Sequence, residues 1–185
     1  MVRIAVVAGS TRPGRHSRQV ADWVLQRAGK RAGATFDLLD VADFNLPLLD
    51  EPMPPSRGNY QHEHTKRWAA AVNGFDGYLF VTAEYNHSVP GALKNALDFL
   101  YAEWNNKAAG FVSYGSAGGI RAVEHLRLIA AELQMADVRA QVSLPFATEF
   151  QGYAAFTPSE TAEQALQTLF DQLISWSEAL QAVRA

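Results

Sequence analysis

Ile4-Ala5-Val6-Val7-Ala8 runs directly into Gly9-Ser10-Thr11-Arg12-Pro13-Gly14-Arg15-His16-Ser17, and this stretch decides the fold. Five consecutive apolar residues without alternation mark a strand buried on both faces. From Ser17 the period changes. Val20, Trp23, Val24 and Ala28 recur at helical spacing, with Arg18, Gln19, Asp22 and Gln26 between them. Strand, glycine loop and helix in that order open a βα unit.

The same alternation repeats along the chain. Strands are expected at Thr35–Leu39, Tyr78–Thr82, Gly110–Ser113 and Gln141–Leu144. Helices are expected at His62–Val72, Gly91–Tyr101, from Ile120 through Leu133, and along the stripe Leu166, Leu169, Leu173, Trp176, Leu180. Connections too long for hairpins argue a parallel sheet with helices on both faces. This is an α/β three-layer sandwich, and the flavodoxin-like strand order 2-1-3-4-5 suits the size. Ligands then belong beyond the carboxyl ends of the first, third and fourth strands. The informative loops are 9–17, 83–90 and 114–119.

Composition narrows the function classes. The chain has 185 residues, 48% hydrophobic and 19% charged, with no internal repeat or linker, so 1–185 is read as a single domain. A net charge of −3 without like-charge blocks speaks against nucleic acid or a membrane surface as partner. With no cysteine there can be no disulfide, thiolate metal site or thiol nucleophile, and redox chemistry would need a bound cofactor. The apolar start is too short for a signal segment, and no stretch approaches the roughly 20 residues that span a bilayer. A cytoplasmic location is the expectation.

The first loop suits a phosphate. Free N–H groups and the positive end of a helix dipole attract an anion, the hydroxyls of Ser10, Thr11 and Ser17 can donate to it, and Arg12 can neutralise it. The plain structural alternative is a helix capped by Ser17 with solvated arginines. The loop lacks the middle glycine of a dinucleotide fingerprint. Arg15 and His16 stand where a P-loop needs Lys and Ser or Thr. A terminal monophosphate bound without metal fits best.

Two further loops complete a pattern. Ala83-Glu84-Tyr85-Asn86 leads into Pro90-Gly91-Ala92-Leu93-Lys94-Asn95, and Tyr114-Gly115-Ser116-Ala117-Gly118-Gly119 follows the fourth strand. With Gly9-Ser10-Thr11-Arg12, these segments make the whole chain resemble the NADPH-dependent FMN reductase family, which includes flavodoxin-like quinone, azo and chromate reductases. Two departures stand out. Ala83 replaces the family's usual proline, and Arg12 is followed by Pro13-Gly14-Arg15-His16 before Ser17.

The resemblance implies FMN as cofactor, with its phosphate at Ser10, Arg12, Arg15, His16 and Ser17. Its ring edge would lie against Ala83, Glu84, Tyr85 and Asn86, and against Tyr114, Gly115, Ser116, Gly118 and Gly119. It also implies hydride transfer from NADPH or NADH to flavin N5, then to a small-molecule electron acceptor: a quinone, azo dye, metal oxyanion or free flavin. The order would be ping-pong, in a homodimer or homotetramer, with no side chain acting as acid or base. The alternatives are a flavodoxin-type electron carrier, usually more acidic than −3, and a P-loop nucleotide hydrolase, which the first loop disfavours.

Other conspicuous residues carry plainer readings. His62 and His64 flank Glu63, and two apart on a helix they would not share a face. His87 lies within the ring loop, whereas His125 reads as structural. Tyr101 and Trp104 read as core or subunit packing. The prolines at 47, 52, 54 and 55 mark an extended surface connection.

Overall fold

The computed structural model describes residues 1–29 and 31–184. In β1 (Val2–Ala8), Val2, Ile4, Val6 and Ala8 pack into one apolar layer and Ala5 and Val7 into another. That two-sided burial is why the run does not alternate. Around it lie β2 (Ala34–Asp40), β3 (Gly77–Ala83), β4 (Ala108–Gly115) and β5 (Ala136–Pro145), all parallel, in the expected order β2-β1-β3-β4-β5.

One layer is covered by α1 (Ser17–Ala28) and by the closing helix, α6 (Glu160–Arg184). The other is covered by α2 (Glu63–Asn73), α3 (Gly91–Asp98) and α4 (Ile120–Glu132). A short helix, α5 (Phe146–Glu149), and a small hairpin, β6 (Phe150–Gln151) with β7 (Ala155–Phe156), join β5 to α6.

Several boundaries differ from expectation for physical reasons. β5 starts at Ala136, five residues early. It is an edge strand, and Asp137 and Arg139 give its first half a polar look; the register against β4 shifts between Ala109 and Phe111. α3 stops at Asp98 because the chain then turns. The Trp104 indole N–H donates to the Leu97 carbonyl at 3.2 Å, taking up an end-of-helix acceptor.

Trp104 is fully buried against Trp68, Tyr78 and Phe80. It belongs to the core and cannot serve as a subunit contact. In α6, Leu166, Leu169 and Leu173 are buried, but Trp176 is 49% exposed. The helix has 25 residues, about 38 Å at 1.5 Å per residue, and outruns the strands beneath it.

His62 also corrects the sequence argument. It sits at the extended N-cap position, before the helix, so its ring stacks on His64 at 5.1 Å. Both Nε2 atoms reach Asp50, at 3.2 Å to its carbonyl and 2.9 Å to its carboxylate. Glu51 accepts from the backbone N–H groups of Gln61 and His62, fastening the proline-rich connection to the start of α2.

Candidate functional site

At the carboxyl ends of β1, β3 and β4 three loops converge on a cleft of about 160 Å³. Arg12, Arg15 and His16 enter from the first loop, Ala83, Glu84 and Tyr85 from the second, and Tyr114 and Gly115 from the third. Phe146, at the start of α5, closes one wall, and nothing in its sequence context marks it for that place. A larger hollow of about 340 Å³ lies between Thr11, the turn after β2 and the start of α3. Its lining carries no charged group, so the smaller cleft is the better anion site.

The first loop has an internal frame. The Ser10 hydroxyl is buried, lies 2.8 Å from Tyr85 Oη and accepts the Arg12 N–H at 3.3 Å. Ser17 is buried too, and its hydroxyl donates to the Ser10 carbonyl at 3.4 Å. Both hydroxyls therefore face internal partners, while Arg12, Arg15 and His16 face the cleft. The N-cap position of α1 is His16, not Ser17, and its side chain makes no capping bond. The first N–H groups of α1 thus lack a side-chain cap.

The two arginines differ. Arg15 is paired through both Nη atoms with the Asp40 carboxylate, at 2.9 and 2.6 Å. The Arg12 guanidinium has no hydrogen bond or ion pair among the described residues, and the side chain is exposed. Arg12 is the unpaired positive charge at the cleft, and Arg15 belongs to the frame. Asp40 escaped the sequence reading because the contact spans 25 positions.

The ring-side loops are equally specific. Asn86 and His87 both have positive φ, 49° and 74°, and Tyr85 and Ser88 exchange two backbone bonds around them. This is the two-residue turn that Asn tolerates well. It turns His87 toward His125, 6.3 Å between ring centres, while the Ser88 hydroxyl meets His125 Nδ1 at 2.7 Å.

The Glu84 side chain is nearly buried. Its carboxylate pairs with Arg121 and accepts the Arg121 backbone N–H at the start of α4. Burial works against its ionisation, but Arg121 and the helix N–H groups prevail and its pKa lies below the usual carboxylate range. Glu84 is an anchor for the loop, and Arg121 is a further residue the sequence reading missed.

Gly119 is fixed by sterics. At φ +75° a Cβ would stand 2.7 Å from the Ser113 Cβ and 2.9 Å from the Tyr114 nitrogen. Ser116, Gly118 and Gly119 shape the third loop but do not line the cleft wall.

The residues present fit a phosphate-bearing aromatic ligand. The Tyr114 hydroxyl is buried near Ser10 and Ser17, yet has no hydrogen bond of normal geometry among the described residues. Burial, then Tyr85, push its pKa up, so it stays protonated and can donate. An unpartnered buried hydroxyl, an unpaired guanidinium and an uncapped helix start meet at one cleft. Its aromatic wall comes from His16, Tyr114 and Phe146, with ring centres 5.6 to 6.1 Å apart.

The strand order defines a flavodoxin-like α/β fold with three loops gathered at the carboxyl ends of its strands. The profile of the NADPH-dependent FMN reductases matches residues 2–149, and the chain belongs to that family. It is 36% identical to an NAD(P)H-dependent FMN reductase of Nectria sp, over 97% of this chain and 89% of that protein. It is 30% identical to a quinone reductase of Pseudomonas putida, over 97% of each. Among solved structures, the flavoenzyme NAD(P)H:(acceptor) oxidoreductase FerB of Paracoccus denitrificans superposes with a TM-score of 0.74. That match covers 97% of this chain and 98% of that one, and at 22% identity it speaks for the fold alone.

Proposed function

We propose that residues 1–185 form one FMN-binding domain that reduces quinone-type acceptors with NADPH or NADH. The carrying observation is the unpaired Arg12 guanidinium beside the uncapped start of α1, which would take the FMN phosphate. His16 and Tyr114 flank that position, Ser10 and Ser17 shape the loop, and Ala83, Glu84, Tyr85, Tyr114 and Gly115, which line the cleft, would border the ring, with Asn86, Ser116, Gly118 and Gly119 shaping the turns behind them. When bound, the flavin supplies two-electron chemistry between nicotinamide and acceptor. The protein's own part is to hold the ring edge against rigid backbone, and the Glu84–Arg121 pair and Gly119 supply that rigidity.

Apoprotein mixed with FMN and with FAD should retain FMN at about one per chain, because the loop has no dinucleotide glycines. Initial rates with NAD(P)H and a quinone should then give parallel double-reciprocal lines, as expected when both substrates use one ring face in turn. Failure to retain any flavin would remove the proposal. We further propose a homodimer or homotetramer, supported by the half-exposed Trp176 on α6, and light scattering tests it.

A further inference from the structure

The phosphate-side loop is held from outside the cleft. Asp40, the last residue of the edge strand β2, has a side chain only 1% exposed and takes both Nη atoms of Arg15. The same Arg15 Nη1 donates to the Ser10 carbonyl at 2.6 Å, so one guanidinium ties the two ends of the loop to the sheet. Asp40 is itself fixed, since its Oδ1 accepts the Ala42 N–H at 3.1 Å.

The other ties converge on Ser10: the Arg12 N–H reaches its Oγ at 3.3 Å, Tyr85 Oη lies 2.8 Å from that Oγ, and the Ser17 hydroxyl reaches its carbonyl at 3.4 Å. Between residues 10 and 16 the one backbone–backbone bond is Arg15 N–H to the Arg12 carbonyl at 3.1 Å. Gly14, at φ +69°, has open space around it.

We propose that Asp40 is a positioning residue for cofactor affinity. Through Arg15 it sets the path of the loop, and so the place of Arg12 and of the α1 N–H groups, without touching the ligand. This rests on the reading that the loop takes the FMN phosphate. A competing role, Arg15 as a second phosphate cation, conflicts with the buried carboxylate that already cancels its charge. Losing Asp40 therefore leaves a loop with two cations and without its tie to the sheet, and ordered donors matter more for a bidentate anion contact than an extra charge.

The test is titration of apoprotein with FMN and with riboflavin, followed by flavin fluorescence quenching, in the parent and in Asp40→Asn. The expected result is FMN binding weaker by about 10-fold or more, the size that outer partners of metal ligands carry, with riboflavin unchanged within about twofold. A merely structural role would weaken both flavins together. Arg15→Lys, which keeps the charge but not the paired donors, should fall between parent and Asp40→Asn. If the single variant does not fold, Asp40→Asn with Arg15→Gln leaves no unpaired buried charge and should show the same selective loss. FMN affinity equal to or tighter than the parent's in these variants overturns the proposal. A parent that binds riboflavin as tightly as FMN overturns instead the phosphate reading beneath it.

Discussion

Tyr85 Oη lies 2.8 Å from the buried Ser10 Oγ, joining the loop after β3 to the loop after β1 across a sequence separation of 75 residues. Ser10 Oγ in turn accepts the Arg12 N–H, so the ring-side loop and the backbone that carries the free guanidinium share one hydrogen-bond chain. The two halves of the cleft are mechanically coupled.

Tyr85→Phe should loosen that coupling. Removing one buried neutral hydrogen bond costs about 1 kcal/mol, roughly a fivefold change in an equilibrium constant. FMN affinity should fall by about that factor, because Arg12 is less well placed, and isothermal titration of the apoprotein measures it.

Gly119→Ala should destabilise the protein. A positive φ and a Cβ 2.7 Å from that of Ser113 combine strain with overlap, for about 1–3 kcal/mol. The urea midpoint should drop with little change in slope.

Lys107 makes stability depend on pH at the opposite end of the sheet. It is buried, with its Nζ 3.1 Å from Tyr78 Oη and 3.3 Å from the Asn73 carbonyl. Burial, then the charge of Arg184, lower its pKa to about 8. Below pH 8 the lysine is charged in folded and unfolded chains alike, and the fold bears the cost of burying it. Above pH 8 the folded chain releases the proton while the unfolded chain keeps it up to the ordinary lysine range, so this term raises stability with pH. Tyr78, held protonated chiefly by burial, opposes it only above the usual tyrosine range. Relative to Lys107→Met, the parent should gain on the order of 1 kcal/mol between pH 8 and 9.5, read from urea melts at each pH.

Much of this was legible in the chain, and the rest was hidden for identifiable reasons. The solid apolar runs at Ile4–Ala8 and Tyr78–Thr82 have one explanation, burial on both faces, and the strand order followed from the βα alternation and the size of the chain. The three loops were legible because glycine, hydroxyl and arginine types gather where strands end. Asp40, Arg121 and Phe146 were not, since each enters the site through a contact between separate elements. The hairpin Phe150–Phe156 has strands too short for any period to show. The Gly9-Ser10-Thr11-Arg12 motif singles out Arg12 in the sequence, and the buried carboxylate that takes up Arg15 was not legible there.

The central claim is that Arg12 is the phosphate-binding cation, and the most direct measurement is the affinity of Arg12→Ala apoprotein for FMN and for riboflavin. Loss of charge-assisted hydrogen bonds worth roughly 1.5–3 kcal/mol predicts FMN binding about 10- to 150-fold weaker. Riboflavin, which lacks the phosphate, should bind parent and variant alike, and Lys at position 12 should restore only part of the loss. FMN affinity unchanged in Arg12→Ala would contradict the account.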